Sequence, residues 1–187
     1  MPKIAFPPHE ALYPEPCVLV TSHDPVLKID NIITIAWCGV ASSKPPILNI
    51  SIRPSRLSHS IIKSTREFVV NIPMRNLLKE VDQCGSISGR KADKFQLCNF
   101  HKEKALNVAA PLIKECPVNI ECRLKEVIAL GSHDMFLGEV AAVHVDEGVL
   151  KDGKDIDYKK APPIVYNLGE YWGLGEALGS YGYSRKL

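Results

Sequence analysis

Short apolar runs rich in β-branched residues, separated by turns of proline, glycine and charged residues, recur along most of this 187-residue chain. Runs of this kind are typical of β-strands, and alternating apolar and polar positions indicate a strand with one buried face. The pattern predicts strands over residues 17–22, 32–40, 47–52, 67–72, 118–130, 135–146 and 164–168. Residues 131–134, with the sequence Gly-Ser-His-Asp, predict a turn between the two long strands of the second half.

Helical spacing of apolar residues is confined to short segments. In residues 55–64, Leu57, Ile61 and Ile62 share one face, which predicts a helix with a serine cap at its start. Residues 75–84 and 93–100 predict two more short helices around a polar loop over residues 85–94, and residues 148–160 predict a charged hairpin or loop. Many strands with few helices predict a mainly β fold, a Greek-key barrel with a few short covering helices. Because no linker divides the chain, we expect a single domain over residues 1–187.

Composition narrows the classes of function. Hydrophobic residues make up 45% of the chain and charged residues 24%, as in ordinary globular proteins. A net charge of +2 gives no broad positive field for nucleic acid. The apolar runs fall short of the roughly 20 residues that a membrane helix needs, and the proline-rich start lacks the apolar core of a secretory signal. We therefore expect a cytoplasmic protein that binds neither nucleic acid nor membrane.

Cysteine and histidine spacing argues against a disulfide framework and against a metal site. The six cysteines form no C-x-x-C pair, so we expect reduced thiols in the core. The six histidines lie far apart and the acidic residues form no calcium loop. No metal site is predicted.

Hydroxyl groups and arginines gather where the strand over residues 47–52 gives way to the first helix. They belong to Ser51, Arg53, Ser55, Arg56 and Ser58, and His59 follows directly. A helix N-terminus lined with hydroxyls and a guanidinium can hold a phosphate through directional, charge-assisted hydrogen bonds. The alternative is that a serine only caps the helix and that Arg53 is a solvated edge residue.

Three further segments carry candidate binding residues. In NIITIAW, residues 31–37, a strand with small Ala36 could present its backbone to a planar ligand, although Trp37 could equally be a packing anchor. In CGSISGRKADKF, residues 84–95, two glycines and two serines form an anion-friendly loop, for which a solvated loop is the default interpretation. His133 lies at the turn GSHD, where a histidine is more often exposed than functional.

These segments together resemble the flavin reductase-like proteins, the FMN-binding split-barrel group that includes flavoredoxins. The resemblance extends over nearly the whole chain. It rests on residues 31–73, above all the pattern N-x-x-T-x-A-W, and on S-G-x-x-x-D-K-F in the loop. It implies a split β-barrel that binds FMN. The FMN-binding residues that it implies are Thr34, Ala36, Trp37, Ser51, Ile52, Arg53, Ser58, His59, Ser88, Gly89 and Lys94.

The resemblance also implies an activity. Related reductases carry a G-D-H motif near the place where nicotinamide meets the flavin, and this chain has Ser132 in place of the aspartate. His133 is the candidate catalytic residue, because an imidazole can donate a proton or a hydrogen bond to reduced flavin. The implied function is an oxidoreductase that passes electrons from NADH or NADPH through bound FMN to flavin, ferric or protein acceptors. It further implies a homodimer, with the tail around Tyr171 and Trp172 helping to close the site.

Two alternatives stay open. A flavoredoxin-like electron carrier would keep its FMN and exchange electrons with a redox protein partner instead of NAD(P)H. The Trp37-Cys38 pair, the long tail and Ser132 resemble that branch of the family. The third possibility is a non-catalytic module that binds FMN or a haem-related ligand on the same barrel. No motif separates NADH from NADPH, or a tightly held FMN from an exchanging one.

Overall fold

The computed structural model describes residues 1–185, so the last two residues of the predicted domain, 186 and 187, lie outside the described residues. The strands are β1 (Glu15–Pro16), β2 (Val18–Asp24), β3 (Ile29–Ile35), β4 (Cys38–Ser43), β5 (Pro46–Ile52), β6 (Glu67–Ile72), β7 (Lys102–Glu103), β8 (Leu112–Ile113), β9 (Val118–Ala129), β10 (Asp134–Val145), β11 (Leu150–Lys151), β12 (Asp155–Ile156), β13 (Ile164–Asn167) and β14 (Glu170–Gly173). The α-helices are α1 (Leu57–Thr65), α2 (Leu78–Ser86) and α3 (Lys94–Leu97), and 3-10 turns lie at Arg75–Leu77, Glu147–Val149 and Tyr183–Arg185.

Seven strands form one antiparallel sheet in the order β3-β2-β6-β9-β10-β5-β4. Side chains alternate between its two faces, as the period of two along a strand requires. In β2, Val18 and Val20 belong to one buried cluster, whereas Leu19 belongs to another. The predicted mainly β fold with short helices is confirmed.

The first of these clusters brings together strands from both ends of the sheet. Ile33 of β3 and Ile50 of β5 are buried in the same cluster as Phe68 of β6 and Phe136 of β10. Because β3 and β5 lie far apart in the strand order, the sheet must curl around this cluster into a barrel. Helix α1 contributes Ile62 to the same barrel core. Residues at the end of β3 and at the end of β5 also line the cavity described below.

The second cluster lies on the outer face of β2 and β3, where α2 and α3 cover the sheet. Leu19 and Ile32 from the strands pack there with Val81 of α2 and Phe95 of α3. Of the apolar residues at helical spacing in residues 75–84, Val81 is buried and Leu77 packs against this cluster, whereas Leu78 is exposed. Within residues 1–185, no helix has the length and apolar character needed to cross a membrane.

The predicted strand over residues 32–40 is wrong, because the chain turns in its middle. β3 ends at Ile35 and β4 starts at Cys38. The Cys38 N–H donates to the Ala36 carbonyl at 2.8 Å, and the Trp37 carbonyl accepts from the Ser51 N–H at 2.9 Å. This turn could not be predicted from an unbroken run of strand-forming residues, because a hydrogen bond from a neighbouring strand stabilises it.

Two smaller predictions also differ from the structure. Arg56 holds the N-cap position of α1, and no described side chain makes a capping hydrogen bond there, so the predicted serine cap is wrong. Gly85 and Ser86 close α2 instead of starting the loop. Strand β14, which pairs with β13, was not predicted.

Candidate functional site

A cavity of about 480 Å³ opens where the end of β3, the turn before β4 and the residues before α1 meet. Its volume lies within the roughly 300–1,000 Å³ of sites that hold drug-sized ligands. Of the residues predicted from the sequence, it is lined by Thr34, Ala36, Trp37, Ser51, Ile52, Arg53 and His133. The fold thus brings three separate sequence segments to one concave surface. Ile52 lines it although its side chain packs in the barrel core.

One wall of the cavity is built on the end of β3. The Thr34 hydroxyl donates to the Val81 carbonyl at 2.5 Å, which fixes its rotamer and leaves the oxygen able to accept. Gly85 lies opposite, and a Cβ at that position would come within 3.2 Å of the Thr34 Cβ. The Trp37 ring packs against the His133 ring, with centroids 4.4 Å apart and planes tilted by 47°. Small residues and a flat aromatic surface make this wall suited to a planar ligand.

A second part of the cavity lining is positive. Arg53 and Arg56 line the cavity, both are exposed, and α1 begins directly after them at Leu57. The first turn of α1 contains no acidic residue that would offset the positive end of the helix dipole. Two guanidinium groups beside free helix N–H groups form a surface that attracts an anion.

His133 is half-buried and lines the same cavity, close to Trp37 and within the influence of the Arg53 charge. Its Nδ1 lies 3.0 Å from the Ser132 Oγ. Burial lowers the pKa of His133 below the usual 6.5, and the positive charge of Arg53 lowers it further. At neutral pH the imidazole is therefore uncharged, with one nitrogen that donates and one that accepts.

A second cavity of about 80 Å³ adjoins the first, since both are lined by Ile33, Arg56 and Gly85. The predicted binding residues that line it are Ser58, Ser88, Gly89 and Lys94. Two of these use their polar groups inside the protein. Ser58 is fully buried and accepts from the Asn31 Nδ2 at 2.7 Å. Lys94 donates through Nζ to the carbonyls of Ile32 at 2.7 Å and Cys84 at 2.6 Å, and burial lowers its pKa.

Gly89 lies where the loop after α2 packs on the barrel. A Cβ at this position would lie 2.0 Å from the Asn31 Oδ1 and 2.8 Å from its Cγ. The loop is held in place by Arg90, whose Nη1 donates to the Ser55 carbonyl at 2.9 Å. The predicted S-G segment therefore reaches the start of α1 by close packing, and glycine is what the available space requires.

His59 lines neither of these cavities. Its Nε2 lies 2.8 Å from the Asp134 Oδ2, and both residues are buried. Its ring also meets Phe136 edge-on, with centroids 5.1 Å apart. The side chain therefore links α1 to the start of β10, and its predicted contact with a ligand stays a prediction.

Sequence reasoning missed most of the remaining wall of the larger cavity. The residues without any prediction are Glu10, Tyr13, Cys17, Asp82 and Tyr166, whereas Ser86 belongs to the predicted loop and Tyr171 to the tail that we expected to help close the site. Tyr171 donates to the Asp82 Oδ1 at 3.1 Å, and the rings of Tyr13 and Tyr166 lie 6.4 Å apart. The aromatic composition of the tail indicated Tyr171, but no comparable signal marks Tyr13 or Tyr166.

Comparison with known sequences shows the family of this chain. Residues 11–175 match the family model described as flavin reductase like domain. The chain belongs to the flavin reductase-like family. An uncharacterized protein of Archaeoglobus fulgidus is 39% identical over 152 residues, which make up 80% of this chain and 83% of that protein.

Two solved structures show the same fold. The flavoredoxin of Desulfovibrio vulgaris (Miyazaki F) superposes with a TM-score of 0.91 at 31% identity, covering 98% of this chain and 100% of that one. An FMN-binding protein from Thermus thermophilus, with bound 1-cyclohex-2-enone, gives a TM-score of 0.78 at 25% identity, covering 96% and 97%. The predicted family and split-barrel fold are confirmed, and family membership indicates flavin-related redox chemistry.

Proposed function

We propose that this protein binds FMN in the cavity of about 480 Å³ and acts as an oxidoreductase that NADH or NADPH reduces. Electrons would pass on to a flavin, ferric or protein acceptor. One observation carries the proposal: a single cavity is lined both by the end of β3 with Trp37 and by two arginines that precede α1. FMN has the matching parts, a planar ring system and a phosphate dianion.

The residues present fit FMN in charge and in shape. Arg53 and Arg56 would hold the phosphate, since a guanidinium gives two directional hydrogen bonds to an oxyanion. Thr34, Ala36 and Trp37 would line the ring system. Bound FMN supplies hydride or single-electron transfer, and the protein supplies binding and orientation.

His133 would serve as a proton donor or hydrogen-bond partner near the ring. It is uncharged at neutral pH because burial and Arg53 lower its pKa. Its packing against Trp37 restricts the orientation of the imidazole. A fixed, neutral imidazole can hold one proton at a defined nitrogen while the other nitrogen accepts.

The second candidate function is a flavoredoxin-like electron carrier, which a redox protein reduces. The observation that favours it is the superposition on the Desulfovibrio flavoredoxin over nearly the full length of both chains. The same FMN site would serve both functions. They differ in the electron donor.

We also propose a homodimer. Large apolar side chains near the C-terminal end are exposed, among them Trp172 (54%), Leu174 (60%) and Leu178 (99%). Exposed apolar groups gathered in one segment are typical of a protein–protein contact. Light scattering coupled to size-exclusion chromatography tests this, and a mass of one chain would contradict it.

The test of function is the visible spectrum of the purified protein after addition of FMN and removal of unbound flavin. NADH and NADPH are then added separately without oxygen. Flavin bands that bleach with a nucleotide establish a reductase and rank the two donors. Bands that persist until dithionite is added favour the electron carrier. If no flavin stays with the protein and a titration with FMN shows no binding, the FMN proposal fails.

A further inference from the structure

Two buried thiols face each other beneath the smaller cavity. The Cys84 Sγ in α2 and the Cys98 Sγ just after α3 lie 3.7 Å apart. Cys84 is fully buried and Cys98 is 8% exposed. We propose that Cys84 and Cys98 form a reversible disulfide bond under oxidising conditions and thereby fix the loop between α2 and α3. Nothing in this inference depends on FMN.

The local structure allows the sulfurs to come together. A disulfide has an S–S distance of about 2.05 Å, so the two atoms must approach by about 1.6 Å. Cys98 is the C-cap residue of α3, which has only four residues, and Asn99 then turns the chain with φ of 52°. A helix this short can shift with little loss of its own hydrogen bonding.

The bond would enclose a segment of functional interest. Residues 84–98 include the whole loop that carries Ser88, Gly89 and Lys94. Lys94 already links the two ends, because its Nζ donates to the Cys84 carbonyl at 2.6 Å. A disulfide that closes a loop of this length restricts the unfolded chain. It would also hold α2 and α3 together in the folded state.

The reaction balances with a low-molecular-weight disulfide as oxidant, for example oxidised glutathione. The Cys98 thiolate attacks one glutathione sulfur and releases one glutathione thiolate, which leaves a mixed disulfide on Cys98. The Cys84 thiolate then attacks the Cys98 sulfur and releases the second glutathione. Both protein thiols are oxidised, the glutathione disulfide is reduced, and the two protons end on the released thiolates or in water.

The order of attack follows from exposure. Cys98 is the less buried thiol. Burial raises its pKa, and Glu80 adds to this, whereas the hydrogen bond with Cys84 and the ammonium groups of Lys94 and Lys79 oppose it in part. Burial also raises the pKa of Cys84. Because the thiolate is the reactive form, oxidation should be slow at neutral pH and faster as the pH rises.

The experiment incubates the full-length protein with oxidised glutathione at neutral and alkaline pH and maps peptides without reduction. We expect a linked pair of peptides containing Cys84 and Cys98, an intact mass lower by two hydrogen atoms, and reversal by dithiothreitol. The oxidised protein should melt about 6–12 °C higher than the reduced protein if the full loop-closure effect is realised.

Controls separate this pair from the other thiols. Cys98→Ala should remove both the linked peptides and the oxidation-dependent melting shift, whereas Cys122→Ala, in the barrel core, should leave both unchanged. Peptide mapping of the unaltered protein keeps the test valid if a variant fails to fold. The proposal is overturned if oxidation at alkaline pH leaves Cys84 and Cys98 free, or if Cys84 pairs with Cys116.

Discussion

Arg53 is the residue at which the charge of the cavity can be tested most directly. It is exposed, lines the cavity and stands just before the positive end of α1. We expect Arg53→Ala to weaken FMN binding about tenfold or more, because it removes a charge-assisted hydrogen bond to the phosphate. Arg56 and the helix N-terminus stay in place, so binding should be weakened and not abolished. A flavin fluorescence titration measures the change.

The matched control is Arg75→Ala. Arg75 is also exposed and lines neither of the two site cavities. The Arg75→Ala substitution should therefore leave the affinity for FMN unchanged. A second readout needs no flavin: removing the positive charge of Arg53 should raise the pKa of His133 toward its usual value, as an NMR titration would show. An unchanged affinity with a raised His133 pKa would mean that Arg53 lies near the site but does not hold FMN.

Gly89 can be tested as a packing position. A Cβ there would lie 2.0 Å from the Asn31 Oδ1, and Asn31 in turn donates to Ser58 at 2.7 Å. Gly89→Ala should lower the free energy of unfolding by about 1–3 kcal/mol, the usual cost of overpacking. Chemical denaturation measures it. Gly148→Ala is the control, since nothing lies within 4 Å of a Cβ at that position. Equal stability of the two variants would show that the loop moves away freely.

At the scale of single elements, the bounds of a strand can be predicted where the residues on either side of it end the strand pattern. β6 has the predicted bounds, Glu67–Ile72, because charged and proline residues flank a run of strand formers. The turn at Ala36 and Trp37 was missed because the Ser51 N–H holds it from another strand. Strand β14 exists through its pairing with β13. Hydrogen bonds from another strand cannot be predicted from the pattern of neighbouring residues alone.

The same limit applies to the site. The wall of Thr34, Ala36 and Trp37 could be predicted because its residues follow one another in the sequence. The wall with Tyr13 and Tyr166 could not, because β1 meets β13 only after the chain has passed through the whole barrel. A polar residue in a candidate segment can also be misjudged as a ligand contact when its polar group bonds inside the protein. Residue type alone does not tell a lysine that binds a ligand from one that binds the backbone.

Lys94 is the case in which this difference can be measured. Its Nζ joins α3 to β3 through the Ile32 carbonyl and to α2 through the Cys84 carbonyl. Lys94→Met should lower the free energy of unfolding by about 2–3 kcal/mol, because two charge-assisted bonds are lost and two buried carbonyls lose a donor. Lys91→Met, at an exposed position in the loop before α3, should have little effect on the free energy of unfolding. If both variants are equally stable but Lys94→Met binds FMN poorly, the role of Lys94 is binding.

On the scale of the whole molecule, one buried carboxylate ties the outer loop over residues 104–111 to the middle of the sheet. Glu121 of β9 is fully buried and accepts from the N–H groups of Leu106 at 2.8 Å and Asn107 at 2.6 Å. The Nε2 of His144, on β10, lies 2.6 Å from the same carboxylate. Burial alone would raise the pKa of Glu121, but these hydrogen bonds outweigh it and the net pKa is lowered.

The lowered pKa makes the contribution of Glu121 to stability dependent on pH. The folded chain holds the proton less tightly than the unfolded chain, so the contribution is complete above the ordinary carboxyl pKa of 4.5 and is lost as the pH falls through the lower folded value. At neutral pH, Glu121→Gln should lower the free energy of unfolding by about 1–3 kcal/mol, since an amide cannot accept all three bonds.

Denaturation at a series of pH values distinguishes this carboxylate from general acid unfolding. The stability difference between the unaltered protein and Glu121→Gln should be constant above pH 4.5 and shrink below it, because the protonated acid and the amide then resemble each other. Glu126→Gln, an exposed change on the same strand, should show no such difference at any pH. A difference between Glu121→Gln and the unaltered protein that does not shrink in acid would mean that shape, and not charge, ties the loop to the sheet.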